Sequence, residues 1–274
     1  AMIVFPPCKI NLGLYITRKR DDGFHDLESI FYPINLCDAL EIIPLDEGKG
    51  EVIFSSSGIP IPGDVNSNLI VKAYHLLHEQ FQLPSVNVHL HKLIPMGAGL
   101  GGGSSNGAWM LRALNQLFNL NLAIPTLLEY AAKLGSDCPF FIYDSSCKVS
   151  GRGEHLEPIE LNLSLYYIWL INPRIHISTA QAFSQVKPQS APLNWENQIA
   201  LTPDNWKFSN DFEPGIKQQN PTISELLQTL NSRGALYSAM TGTGSTVYGI
   251  FTHMPDITGI DATYFSKVIS AKLS

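Results

Sequence analysis

Pro95-Met96-Gly97-Ala98-Gly99-Leu100-Gly101-Gly102-Gly103-Ser104-Ser105-Asn106 decides how the rest of the chain is read. Five of these twelve residues are glycine, three of them consecutive. Upstream, Val86 to Ile94 alternates apolar and polar residues, the pattern of a half-buried strand. Downstream, Ala108, Leu111, Ala113, Leu114, Leu117 and Phe118 recur at roughly helical spacing, which predicts a helix from near Ser104. Glycines between a strand and a helix let successive backbone N–H groups converge, because no Cβ blocks a close approach. The helix N-terminus adds unsatisfied donors and the positive end of its dipole. Such a loop is suited to a phosphate, and without a ligand its glycines would lose backbone entropy for no gain.

Familiar phosphate loops fit it poorly. A P-loop needs a lysine after its last glycine, and none follows here. Gly97, Gly99 and Gly102 satisfy Gly-x-Gly-x-x-Gly, but no acidic residue follows at the distance a dinucleotide site requires. The His-Arg-Asp and Asp-Phe-Gly of protein kinases do not occur. Gly103-Ser104-Ser105-Asn106-Gly107 also fits a hydrolase elbow, with Asp137 and His155 following in the right chain order.

Composition narrows the class. The 274 residues are 45% hydrophobic and 15% charged, enough for one large or two ordinary cores. A net charge of −6, with no basic cluster longer than Arg18-Lys19-Arg20, argues against nucleic acid or a membrane surface as partner. No apolar run is long enough to span a bilayer, and the first residues lack a signal-peptide layout. Four cysteines without C-x-x-C pairing suit reduced thiols, so a cytoplasmic globular protein is expected.

Elsewhere, strands are predicted at Met2 to Phe5, Lys9 to Thr17, Ser29 to Pro33, Ala39 to Ile43 and Glu51 to Ser55. Asn66-Ser67-Asn68 offers caps for a helix with a stripe from Leu69 to Phe81, and Pro125 opens a helix closed by Gly135. Asp137, between that helix end and Cys138-Pro139-Phe140-Phe141, reads either as a turn-forming residue or as a carboxylate with a task. Val149 to Glu154 reads as a hairpin turn and domain seam, giving domains 1–150 and 151–274. Beyond it come a strand from Tyr166 to Asn172 and a helix capped by Ser178. A polar, loop-like stretch over 187–221 and a Thr222-to-Glu225 capping box follow. Strands from Leu236 to Met240 and Thr246 to Phe251, then a last helix from Ala262 to Leu273, suggest a ferredoxin-like second domain.

Pro95 to Asn106 resembles the ATP-phosphate motif of the GHMP kinases. Two further motifs of that family occur in order, Pro7-Cys8-Lys9-Ile10-Asn11-Leu12 and Thr241-Gly242-Thr243-Gly244-Ser245-Thr246, so the resemblance covers most of the chain. It implies an α+β fold of two domains, an N-terminal one like ribosomal protein S5 and a ferredoxin-like C-terminal one, with the active site in the cleft between them. Pro95, Gly97, Gly99, Gly101, Gly102, Gly103, Ser104, Ser105 and Asn106, with Asn68 and Lys92, are then expected around ATP. Ser104 or Ser105 would help hold Mg²⁺, whose other ligands the sequence does not identify. Lys9, which by position alone reads as a surface charge, becomes catalytic together with Asp137 over the acceptor hydroxyl. Lys9 would keep Asp137 ionised and offset charge on the transferring group.

The triple glycine and Ser-Ser-Asn are closest to the branch acting on a cytidine diphosphate sugar-alcohol. There the segment Asp22-Gly23-Phe24-His25 would stack and read the cytosine, with phenylalanine in place of the family's tyrosine. Phe183 completes that pocket, Asn11 and Thr179 contact the polar chain, and Gly242, Thr243 and Gly244 approach the phosphates or acceptor. Asn210-Asp211-Phe212-Glu213 matches a family tetrapeptide expected to pack behind the site. The alternatives are a GHMP kinase for homoserine or mevalonate, a serine hydrolase using Ser105, and a binding protein without activity. Phe24-His25 argues against the first, glycines where a strand should precede the elbow against the second, and Lys9 with Asp137 against the third.

Overall fold

The computed structural model describes residues 1–46 and 50–270. In chain order they form β1 (Met2–Val4), β2 (Pro7–Lys19), β3 (His25–Cys37), β4 (Ala39–Pro44) and β5 (Val52–Gly58). Next come α1 (Leu69–Phe81), β6 (Val86–Lys92), α2 (Gly102–Leu117), α3 (Ile124–Leu134) and α4 (Cys138–Tyr143). Then follow β7 (Cys147–Ser150), β8 (His155–Pro158), β9 (Tyr167–Asn172), α5 (Thr179–Ser184) and α6 (Trp195–Ile199). The chain ends with α7 (Glu213–Gln219), α8 (Pro221–Ser232), β10 (Tyr237–Met240), β11 (Val247–Phe251) and β12 (Phe265–Ser270).

Contacts group the chain into two compact units. The first comprises Ala1–Cys8, Leu36–Met96 and Gly101–Ser145; the second comprises Lys9–Asn35, Gly97–Leu100 and the chain from Ser146 onward. In the first, a four-stranded sheet has the order β1-β4-β6-β5. β5 and β6 are parallel, and α1 supplies the crossover a parallel pair requires. Along β6, Val86, Val88 and Leu90 face inward while Asn87 and His91 are exposed, as the period of two demands. α2 packs on α1, α3 and α4, and Gly107 lets the first of these helices come close, since a Cβ there would lie 2.8 Å from the Leu69 Cβ.

The second unit holds two four-stranded sheets, β2-β3-β7-β8 and β10-β11-β9-β12. The second of these is wholly antiparallel and, with α8 between β9 and β10, has the ferredoxin-like strand order. Its apolar face, including Trp169, Ile171 and Val247, packs against Ile223, Leu227 and Leu230 of α8.

Three expectations need correction. The helix over Ala262–Leu273 is instead the edge strand β12, paired with β9 from Phe265↔Asn172 to Ser270↔Tyr167. Tyr264, Phe265, Val268 and Ile269 are residues that suit a strand, and 271–273 lie outside the described residues. The loop-like stretch 187–221 contains α6 and α7. Finally, α8 begins at Pro221, so Thr222 lies inside it and caps nothing.

Candidate active site

The glycine loop leads from β6 into α2, with Gly97–Leu100 counted in the second unit and the residues on either side in the first. The helix starts at Gly102, two residues before the first serine, with Gly101 at its N-cap in the left-handed region (φ +70°) and no side chain capping it. Its first N–H groups are therefore left for a ligand. A Cβ on Gly103 would meet only the Met96 Cε at 3.8 Å, so the loop is open on that side. On Gly102 it would press on the Ile94 Cγ2 at 2.8 Å and the Lys92 Nζ at 3.0 Å.

That lysine is the loop's foundation. Lys92 continues the inward series of β6, so its ammonium is wholly buried, where a charge needs a partner. The partner is Asp38, equally buried, and the two form an ion pair. Burial pushes the Lys92 pKa down, against the pull of Asp38. The Asp38 carboxylate also accepts hydrogen bonds from Leu93 N (2.7 Å), Ile94 N (2.9 Å) and Asn106 Nδ2 (2.9 Å). One carboxylate thus ties the end of β6, the start of the loop and the second turn of α2. Lys92 and Asn106, expected to contact ATP, direct their side chains to this network beneath the loop.

Ser105 is fully buried, and its hydroxyl has no hydrogen-bond partner among the described residues. The nucleophile–base bond of a hydrolase elbow is therefore absent, and the imidazole of His155 is 72% exposed beside Glu154. Asn68 caps α1, its Oδ1 accepting from Ile70 N at 2.9 Å. Asp137 is half-buried ahead of α4, which packs on α2 and α3. It lies within a turn, and its carboxylate makes no capping bond to that helix. The Cys138 thiol next to it is buried at the start of α4. Burial pushes that thiol up to about 12, so it is neutral and no nucleophile at physiological pH. No group of three or more His, Cys, Asp or Glu side chains among the described residues could hold a metal ion.

In the second unit Lys9 is not a surface charge. It is 3% exposed, and its ammonium donates to Asn11 Oδ1 (2.7 Å) and Gly99 O (3.2 Å) and lies 4.5 Å from the Phe31 ring centre. Asn11, expected to touch the acceptor, is buried and occupied at both ends of its amide. Its Nδ2 donates to Ser29 Oγ at 2.9 Å, while its Oδ1 also accepts from Gly242 N at 3.0 Å and Thr241 Oγ1 at 3.1 Å. Lys9, Ser29, Thr241 and Gly242 are thus gathered around one amide. Gly99 sits at φ +78° with its Cα so close to the Thr241–Gly242 turn that a Cβ would fall 2.1 Å from Thr241 O. Only glycine tolerates both conditions.

Asn210-Asp211-Phe212-Glu213 holds that turn from behind. Asn210 Nδ2 donates to Met240 O (2.8 Å) and Gly242 O (2.9 Å), and Glu213 Oε2 accepts from Met240 N (3.0 Å). Asp211 Oδ2 accepts from Ile16 N at 2.8 Å, which fixes β2. Phe212 meets Phe183 edge to face at 4.8 Å, and His25 stacks on Phe183 at 4.8 Å and 26°. Two of the three expected base-pocket residues are therefore together, with Phe24 exposed on the adjoining turn. Thr179 is exposed at the start of α5, Thr243 half-buried, and Gly244 (φ +88°) lies against Met240 and Ile177.

Two family models match the chain, the GHMP kinases N terminal domain over residues 68–145 and the GHMP kinases C terminal over residues 193–258. The chain belongs to the GHMP kinases. The first match begins at the α1 cap Asn68 and takes in the glycine loop and Asp137; the second takes in Asn210 and the Thr241–Gly244 turn. Members of this family phosphorylate small-molecule acceptors, with ATP as phosphate donor. Among its relatives is the 4-diphosphocytidyl-2-C-methyl-D-erythritol kinase of Bacteroides fragilis, 48% identical and covering 95% of this chain and 96% of that one. The Cytophaga hutchinsonii enzyme of the same name is 43% identical, covering 93% and 94%. A solved 4-(cytidine 5'-diphospho)-2C-methyl-D-erythritol kinase superposes with TM-score 0.79 at 29% identity, over 91% of this chain and 90% of the other. A homoserine kinase from Cytophaga hutchinsonii, at 17% identity and TM-score 0.69, shares the fold over 97% and 96% of the two chains.

Proposed function

We propose that this GHMP kinase transfers the γ-phosphoryl group of ATP to the 2-hydroxyl of 4-diphosphocytidyl-2-C-methyl-D-erythritol, a cytoplasmic step of non-mevalonate isoprenoid synthesis. The observation that carries the acceptor is His25 stacked on Phe183 at 4.8 Å, with Phe24 exposed on the turn just before His25. Homoserine and mevalonate have no base to place there. The near full-length identity to kinases of that name supports the same reading.

Residues 1–150 would form the ATP-binding domain and 151–274 the C-terminal one. Phosphoryl transfer needs positioning and charge neutralisation more than covalent chemistry. The free N–H groups at the start of α2 hold the ATP phosphates, with Pro95 and Gly97 to Gly103 shaping the loop around them. The hydroxyls of Ser104 and Ser105 would help hold Mg²⁺, which would supply neutralisation of the phosphate charge. Asp137 takes the proton of the acceptor hydroxyl as it attacks, and Lys9 offsets the charge developing on the transferred group. Asn11, Thr241 and Gly242 keep Lys9 in place through the bonds described above.

Base recognition can be tested directly. Phe24→Ala should raise the acceptor KM about 5- to 30-fold, corresponding to about 1–2 kcal/mol of lost stacking, with the ATP KM unchanged. The uridine analogue should be a poor substrate, because its edge leaves a polar partner unpaired, and His25→Ala should narrow the gap. Equal turnover of cytidine and uridine acceptors by the wild type would withdraw the acceptor assignment and leave a GHMP kinase of other specificity.

A further inference from the structure

The turn joining β2 to β3 and the turn joining β7 to β8 lie at the same end of their sheet. β3 and β7 are antiparallel with Ser29 opposite Val149, so the start of β3 runs beside the residues that follow β7. Leu27 N donates to Gly151 O at 2.7 Å and locks the two turns together. The first turn carries Phe24, a large apolar side chain that is nevertheless 52% exposed. An exposed phenyl ring rotates freely, and a platform for a base must give up that freedom on binding. The second turn carries Arg152, whose guanidinium carbon lies 4.0 Å from the centre of the Phe24 ring.

Both turns are braced internally. Phe24 N donates to Asp22 Oδ1 at 3.0 Å and Phe24 O accepts from Arg20 N at 2.8 Å. Arg20 in turn pairs with Asp22 and Asp26. Arg152 N donates to Glu154 Oε2 at 2.6 Å, within a turn whose Gly151 and Gly153 both take positive φ. The backbones are thus fixed, and the free variable is the angle of the Phe24 ring. Phenylalanine has no hydroxyl to anchor that angle by a hydrogen bond, so it is set by what lies on the ring's face.

We propose that Arg152 is a positioning residue for the acceptor. Its planar guanidinium covers one face of Phe24, holds the ring still, and leaves the opposite face for the pyrimidine. A lysine cannot reproduce this, because its ammonium is a point charge without a stacking plane. The role rests on the reading of Phe24 as a base platform.

Steady-state kinetics of Arg152→Ala, Arg152→Lys, Phe24→Ala and the Arg152→Ala/Phe24→Ala double variant test it. Arg152→Ala should raise the acceptor KM about 2- to 5-fold, the factor expected of a cation–π contact at an exposed site, with kcat and the ATP KM unchanged. Arg152→Lys should fall between Arg152→Ala and the wild type. In the Phe24→Ala background, removing Arg152 should add nothing, because both changes act on one contact. If Phe24→Ala raises the acceptor KM and Arg152→Ala does not, the positioning role is overturned while the base platform stands. A further rise in the double variant would overturn it too. An acceptor KM untouched by Phe24→Ala would instead remove the platform reading, and Arg152's role with it.

Discussion

Asp137→Asn should lower turnover by about 100-fold or more, the contribution typical of a general base, and leave the ATP KM close to wild type. The amide keeps the size of the carboxylate but cannot take a proton. The site is suited to the test, since Asp137 is half-buried ahead of α4 and makes no capping bond to that helix. Removing the charge therefore takes no cap from α4, and unchanged thermal melting alongside the lost turnover would mark the effect as chemical. Near-wild-type turnover would remove Asp137 from the chemistry. Lys9→Ala should bring a loss of similar order, and if it too left turnover intact the paired-residue account would fail.

Gly103→Val should raise the ATP KM by about 10- to 150-fold, the cost of losing a hydrogen bond to a charged group at about 1.5–3 kcal/mol, without changing the acceptor KM. Within the protein a Cβ at Gly103 meets nothing nearer than the Met96 Cε at 3.8 Å, so the variant has room to fold. The added methyls would occupy the open side of the loop, where the proposed phosphate site needs room. Gly102→Val is the less informative change. Its side chain would be driven into Ile94 and the buried Lys92, and any loss of ATP binding would follow from a disturbed foundation. A Gly103→Val protein that melts normally and binds ATP as well as the wild type would show that the phosphates lie elsewhere.

The parts of this protein legible in its sequence are those governed by local chemistry. The alternation from Val86 to Ile94, the Asn68 cap of α1 and the Pro125 and Gly135 that bracket α3 are rules of one strand or one helix, and each element forms there, the strand ending two residues early at Lys92. What escaped depends on partners distant in the chain. Asp38 is a single acidic residue at the end of β3, and nothing nearby announces that it will meet Lys92, 54 residues later. One signal was available: a lysine at an inward position of β6 demands a buried carboxylate. The motif that holds Lys9 and Asn11 does not show that the Asn11 amide will bond Ser29 and Gly242, the latter 231 residues away. The helices α6 and α7 are five and seven residues long, too short to show a stripe, and tertiary bonds such as Trp195 Nε1 to Glu28 Oε2 at 2.7 Å help to fix the first of them. The segment of β12 reads as helix because Tyr264, Phe265, Val268 and Ile269 also recur at the spacing of one helical face.

The most direct test of the account is ADP release from ATP, followed with and without 4-diphosphocytidyl-2-C-methyl-D-erythritol. The expected result is ADP formation that requires the cytidine acceptor, matches phosphate gained on its 2-hydroxyl mole for mole, and is not supported by homoserine or mevalonate. ADP released equally without acceptor, or formed only with homoserine or mevalonate, would contradict it.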